Sequence, residues 1–302
     1  AGSVDRICHV AALVNHRLSY SNLFGPNVLG SAEVIRLALS EKRKAIDFIS
    51  TVGVFMLLEK GGGIHEGSAY KAEIQLSEKY AAGYAISKWA GENLFRKAHK
   101  EYDLPVNVFR CDMILPDQRY KGQLNSSDML TRLLYSILTT RLAPESFYRR
   151  EGNSKSYAHY PGLPVDTLSK AIAGAYRFED QAYKVYHAIN YVKDDISLDS
   201  FVDWIETAGY EINRIEEHPS WYERMQTKLK SLPEAERQLS ALDILMAYAR
   251  PMKSGYSNIG TANFQELVAA LDELGPLSSL SEAYIHKYLK DMELRGLFSK
   301  QK

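Results

Sequence analysis

In the first 190 residues, short apolar runs alternate with segments of helical spacing. "VDRICHVAALV" is an apolar run of strand type, and the following "NVLGSAEVIRLALSEK" sets Val34, Leu37 and Leu39 at helical intervals. "AIDFISTVGVF" reads as a buried strand that leads into the loop "EKGGGIHEGS". Residues 80 to 100 read as a helix, and "LPVNVFRCDMIL" as a strand ended by Pro116. Helical spacing returns over 123 to 142 and in "GLPVDTLSKAIAGAY", before a last strand, "YKVYHAIN". Strands alternating with helices predict an α/β fold around a parallel sheet.

The pattern changes after Asn190. "SLDSFVDWIETAGY" opens on Ser197, places Phe201, Trp204, Ile205 and Ala208 along one face and stops at Gly209, the marks of a capped amphipathic helix. The remainder is mostly helical and carries no catalytic pattern. With no repeat and no low-complexity linker, the boundary near residue 190 is a soft one.

Composition removes several classes of function. The 302 residues are 45% hydrophobic, enough for a sizeable core, and the 37 basic and 37 acidic residues cancel. No global field draws the chain to nucleic acid or to an anionic membrane. Cys8 and Cys111 have no partners at metal or redox spacing, which predicts a reduced, cytoplasmic protein without a metal site. The apolar runs are far shorter than the ~20 residues of a membrane helix, and the N-terminus lacks the features of a signal peptide.

The chemistry gathers in "YAAGYAISKWAGE", where Tyr84 and Lys88 stand four apart on one helix face. A fixed cation beside a phenol, whose ordinary pKa is ~10, favours phenolate and suits proton transfer near neutrality. Spacing alone decides little, because about one Tyr-x-x-x-Lys match is expected by chance among 20 tyrosines. The neighbours add weight. "FISTVGVF" ends a strand with Ser50 and Thr51 at the carboxyl edge of a parallel sheet, where ligands bind, and a hydroxyl aimed at a developing oxyanion serves carbonyl reduction.

The ordered segments "HVAALV", "GPNVLGSAEV", "FISTVGVF", "YAISKWAGE" and "FRCDMI" resemble the extended short-chain dehydrogenase/reductase family, in its thioester-reductase branch. "NVFRCDMILPDQRYKGQLNSSDMLTRLL", "AHYPGLPVD" and "FVDWIETAGY" resemble more narrowly the C-terminal reductase domain of carboxylic acid reductases. The resemblance runs from about Val4 to the C-terminus. It implies a Rossmann-like doubly wound sheet over residues 1–190, with 117–155 contributing to the substrate side, and a mostly helical C-terminal substrate domain over 191–302.

By this resemblance Thr51, Tyr84 and Lys88 form the catalytic triad. Thr51 and Tyr84 hold the substrate carbonyl oxygen, Tyr84 donates the proton, and Lys88 binds the nicotinamide ribose and lowers the pKa of Tyr84. Asn27 matches a site-supporting position, Ala11 and Ala12 let the dinucleotide approach, and the segment Arg110, Cys111, Asp112, Met113 and Ile114 flanks the nicotinamide. Asp112 is a candidate gate, since a carboxylate at the mouth of a nicotinamide site is costly without a partner. The implied cofactor is NADPH, the substrate an acyl thioester on phosphopantetheine, and the partners a carrier domain and an adenylation domain of the same polypeptide. The rival readings are the terminal reductase of a non-ribosomal peptide assembly line and a catalytically silent dinucleotide-binding regulator, which would be expected to lose the Tyr-Lys pair.

One feature of a dinucleotide site is missing. A glycine turn normally joins the first strand to the first helix so that the backbone can approach the pyrophosphate. The nearest candidate, Gly61 to Gly67, follows the Thr51 strand and lacks the third glycine of the fingerprint. We therefore expect the first strands of the dinucleotide-binding half to be absent from this chain, the structure to show either a missing N-terminal segment or an incomplete sheet with an exposed edge, and residues 1 to 302 alone to bind NADPH weakly or not at all.

Overall fold

The computed structural model describes residues 2–59, 63–71, 74, 76, 81–151, 154–155, 158–178, 182–252 and 258–298. The chain divides into two compact units. The first comprises 1–112, 167–189 and 258–277, and the second 113–166, 190–257 and 278–302. The change of character at residue 190 is thus one crossing among several. Residues 113–166 leave the first unit before that point and 258–277 return to it afterwards, which the apolar stripes of separate helices do not reveal.

The first unit is built on four parallel strands in the order β1 (Arg6–His9), β2 (Ala45–Thr51), β3 (Val106–Cys111) and β4 (Tyr183–Ala188). Register sets the faces, because alternate residues of a strand point to opposite sides. Ile46 pairs with Val106 and Phe48 with Val108, and Val106 and Val108 pair with Tyr183 and Val185. These rows meet Ala38 of helix α1 (Gly30–Leu39) and Phe95 and Ala98 of helix α2 (Ala82–Tyr102) in one apolar core. Phe48 and Phe95 pack at a tilt of 43° with centroids 4.7 Å apart, and each buried aromatic of this kind contributes roughly 1.5–3 kcal/mol.

One residue row departs from this apolar pattern. Ser50, Arg110 and His187 stand in register across β2, β3 and β4 on the face that α2 covers. On the other side, β1 forms an edge of the sheet, with Cys8 exposed and Val10 and Val14 more than 60% exposed just beyond it.

The second unit has its own core, centred on Trp221, Phe201, Phe147, Leu133 and Tyr288. It gathers helices α3 (Met129–Thr140), α5 (Leu198–Thr207), α6 (His218–Lys230) and α8 (Glu282–Leu294). Helix α4 (Val165–Gly174) and helix α7 (Ala262–Ala269) fall chiefly in the first unit. Two expectations about ends are revised. The helix expected from 123 starts at Met129, because Asp128 caps it by accepting the Thr131 N–H at 2.6 Å. It stops at Arg141, whose φ of 58° is left-handed. The capping box at Ser197 with Ser200 is present as expected of α5. Among the described residues, no helix is long and apolar enough to cross a membrane.

Candidate functional site

Helix α2 carries the candidate acid and cation, and its small residues explain how close it sits. A Cβ on Gly83 would lie 2.4 Å from the Leu18 carbonyl oxygen and 2.8 Å from Ser19 C and Tyr20 N. A Cβ on Gly91 would meet Phe48 at 2.9 Å and Ser31 at 3.2 Å. Glycine at these two positions therefore lets the helix press against the 16–20 backbone at its start and against the sheet two turns later. Ala81 precedes the helix in the left-handed region, φ 61°, and its N–H bonds the His16 carbonyl at 2.8 Å. This junction sets the Tyr84 ring edge-on to His16, with centroids 5.4 Å apart.

Asn27 binds the surroundings together. It sits in a single π-helical turn, Phe24–Leu29, a distortion often found at functional sites. Its Oδ1 accepts the Leu13 N–H at 2.8 Å, and its Nδ2 donates to the Leu13 carbonyl at 3.1 Å and to Ser87 Oγ at 3.0 Å. Ser87 in turn donates to the Tyr84 carbonyl at 2.8 Å. One buried amide thus fixes the segment after β1, where Ala11 is exposed and Ala12 half-buried, against the helix that bears Tyr84 and Lys88. All its polar atoms are engaged within the protein, so Asn27 acts on the site by holding it.

Thr51 ends β2 beside Cys111, its partner in register. Its Oγ1 accepts the Gly53 N–H at 3.1 Å, which leaves the hydroxyl proton free to donate elsewhere. A Cβ on Gly53 would stand 3.5 Å from both Thr51 Oγ1 and Ala85 Cβ, so Gly53 lies between the Thr51 hydroxyl and the first turn of α2. The structure brings Thr51, Tyr84, Lys88, Asn27 and Cys111 to one end of the sheet. Asp112 follows β3, partly exposed, while Met113 and Ile114 open the second unit.

Burial dominates the electrostatics. Lys88 is 3% exposed, with Nζ 4.1 Å from the Phe48 ring centroid. Desolvation pulls its ammonium down to about 8, opposed by the charge of Glu92 and by Cys111. Burial pushes the Tyr84 phenol up to about 12, with Cys111 adding to the rise. The direction is opposite to the lowering expected from Lys88, because the low-dielectric setting disfavours phenolate. Burial also raises the Cys111 thiol to about 12, which makes it a neutral neighbour rather than a nucleophile.

Sequence reasoning missed two carboxylates. Glu66, in the glycine loop, accepts the N–H groups of His187, Asn263 and Phe264 at 2.9, 2.7 and 3.1 Å and so occupies the N-terminus of α7 itself. Of the glycines suspected there, Gly61 and Gly62 lie outside the described residues, and Gly63 has φ 143°. Glu92 is fully buried one turn beyond Lys88. It pairs with Arg110, whose guanidinium is held by that carboxylate and buried. The charge of Glu92 four residues after Lys88 was visible in the sequence, but its burial was not.

Residues 1–172 match an NAD-binding family described as male sterility protein. A carboxylic acid reductase of Segniliparus rugosus is 42% identical over 98% of this chain and 26% of its own length, and one of Mycobacterium tuberculosis is 40% identical with the same coverage. The chain thus spans about a quarter of these curated relatives. The solved reductase domain of a nonribosomal peptide synthetase from Mycobacterium tuberculosis superimposes with a TM-score of 0.86 at 36% identity, over 98% of this chain and 71% of that one. UDP-galactose 4-epimerase shares the fold alone, with a TM-score of 0.60 at 12% identity. With a parallel sheet of the extended short-chain dehydrogenase/reductase type and this agreement over most of a reductase domain, the chain belongs to the male sterility protein family of NAD(P)-binding oxidoreductases, as a reductase domain.

Proposed function

We propose that this chain reduces an acyl thioester, held on the phosphopantetheine arm of a carrier domain, to an aldehyde with NADPH, as the reductase domain of a carboxylic acid reductase. The observation that supports the reading is that Tyr84 and Lys88 lie on an α2 helix that glycine brings onto the sheet, at the end where Thr51 closes β2. That relatives are carboxylic acid reductases supports the reaction class, and their length, about four times that of this chain, leaves room for the adenylation and carrier domains proposed as partners.

The residues at the strand ends fit a dinucleotide. Ala11 and Ala12 offer an open backbone beyond β1, exposed Val10 and Leu13 flank them, and Lys88 supplies a cation for the ribose hydroxyls. When bound, NADPH supplies a hydride to the thioester carbonyl carbon. Thr51 and Tyr84 donate hydrogen bonds to the carbonyl oxygen, and they strengthen as negative charge grows there. A phenol at about 12 stays protonated throughout the neutral range and yields its proton only to the more basic alkoxide, which is the behaviour a donor needs. As the hemithioacetal collapses to aldehyde its hydroxyl proton returns to Tyr84, and the leaving thiolate takes a proton from water to give the free thiol.

A second reading differs in the acyl group alone. The 36% identity to a peptide synthetase reductase domain supports a peptidyl thioester as substrate. Offering acyl- and peptidyl-phosphopantetheine thioesters with NADPH or NADH to the natural polypeptide that carries this chain, and identifying the product, tests both. Aldehyde from neither thioester overturns the proposal.

A further inference from the structure

We infer that Glu92 is a positioning residue that holds Lys88 protonated, and that the Glu92–Arg110 cluster fixes where the Tyr84–Lys88 face of α2 stands over the sheet. The inference rests on the reading of Tyr84 and Lys88 given above.

Glu92 accepts from Arg110 Nη2 at 2.7 Å and from Arg110 Nε at 3.2 Å, from Ser50 Oγ at 2.5 Å, and from the Tyr70 hydroxyl. Every partner is a donor, so the group is a carboxylate. Arg110 continues the cluster through Nη1 to His187 Nε2 at 3.2 Å, and His187 Nδ1 meets the Gly260 carbonyl at 2.8 Å. A guanidinium can only donate and a carbonyl can only accept, so His187 is neutral with its proton on Nδ1. One carboxylate therefore joins α2 to β2 at the residue before Thr51, to β3, and through Arg110 to β4.

Stability does not require this arrangement. A buried ion pair gives back in Coulomb energy about what its desolvation costs, and apolar side chains of the same volume would pack as well. What hydrogen bonds add is direction. The buried face of α2 mixes small residues, Gly83, Ala85, Ser87 and Gly91, with the apolar Ile86 and Phe95, and apolar contact is non-directional. The bidentate guanidinium and the Ser50 hydroxyl fix the helix in rotation and height, one turn from Lys88.

The same carboxylate supplies the charge that faces Lys88. On β1, His9 is held down to about 4, so it is neutral in the working range. On β3, Cys111 is pushed up to about 12 and is neutral too. On β2 the neighbour is the Phe48 ring, and on α2 itself the phenol of Tyr84 is uncharged. Among the described residues that face Lys88, Glu92 is the counter-charge, with Arg110 behind it. Removing that charge takes away the larger of the influences that oppose burial, and the ammonium loses its proton at lower pH.

The test follows the Lys88 ammonium by 13C NMR of its ε-carbon across pH, in folded protein labelled at lysine and assigned with Lys88→Met. Glu92→Gln should lower the Lys88 titration midpoint by about one unit or more, and Glu92→Asp, which keeps the charge, should restore most of it. Because Glu92→Gln strands the buried Arg110, the double variant Glu92→Gln/Arg110→Met provides a neutral cluster that folds, and its Lys88 midpoint should also fall. A Lys88 midpoint that stays at the wild-type value in folded Glu92→Gln, or in the double variant, overturns the inference. No substrate enters this titration, so it fails or stands apart from the reductase reading, which is tested by aldehyde formation.

Discussion

Gly83→Ala is the sharpest probe of how the site is positioned. The added methyl would stand 2.4 Å from the Leu18 carbonyl oxygen and 2.8 Å from two further backbone atoms. None of these is the end of a flexible side chain, so the first turn of α2 or the 16–20 segment must retreat by roughly 0.5–1 Å to restore ordinary contact. Alanine is favoured over glycine in a helix by at most about 1 kcal/mol, whereas overpacking of this kind costs about 1–3 kcal/mol. Overpacking wins, and a net loss of about 1–2 kcal/mol is expected in urea unfolding. The larger effect falls on turnover. Tyr84 is the next residue, and a displacement near 1 Å of a reacting group costs about 100-fold. The assay pairs urea midpoints with NADPH oxidation on an acyl thioester, in the natural polypeptide. Wild-type turnover in Gly83→Ala would refute the claim that close approach of α2 sets the site, and so would a gain in stability.

Other changes separate space from chemistry. Gly30→Ala meets open space at the start of α1 and should be neutral or stabilising by up to about 1 kcal/mol, as read from the same urea titration. Tyr84→Phe should cost about 10²- to 10⁴-fold in aldehyde formation while NADPH binding, measured by calorimetry, persists. Asp112→Gly should raise the share of alcohol over aldehyde if the carboxylate gates the nicotinamide, and an unchanged product ratio would exclude that role. Wild-type turnover should fall as pH rises through about 8, where Lys88 loses its proton. Stability should fall on the acid side. His9 and His187 are held neutral, at about 4 and about 3, so the unfolded chain binds protons that the folded one refuses once pH drops below ~6.5. By pH 4.5 each contributes a loss of up to about 3 kcal/mol, and His187→Asn should flatten that part of the profile.

Local pattern carried the strands, the α2 helix and the residues gathered at the sheet end, because alternation and capping are decided within a few residues. "YAAGYAISKWAGE" even announced close packing through its Gly, Ala and Ser. What the pattern could not carry was partnership at a distance. Glu92 four places after Lys88 reads as a surface pair, and only the fold puts it at 0% exposure against Arg110, Ser50 and Tyr70. Arg110 stood among the residues expected beside the nicotinamide, yet its side chain turns inward to that carboxylate. The return of residues 258–277 to the first unit escaped notice for the same reason, since an apolar stripe shows that a helix is buried without saying against what.

The account stands or falls on whether hydride reaches an acyl thioester carbon under the hands of Tyr84. Incubation of the natural polypeptide with an acyl-phosphopantetheine thioester and NADPH deuterated at the transferring position should give aldehyde bearing one deuterium at its carbonyl carbon, with at most about a hundredth of that product from Tyr84→Phe. Aldehyde without deuterium, no aldehyde from the wild type, or equal product from the two proteins would contradict it.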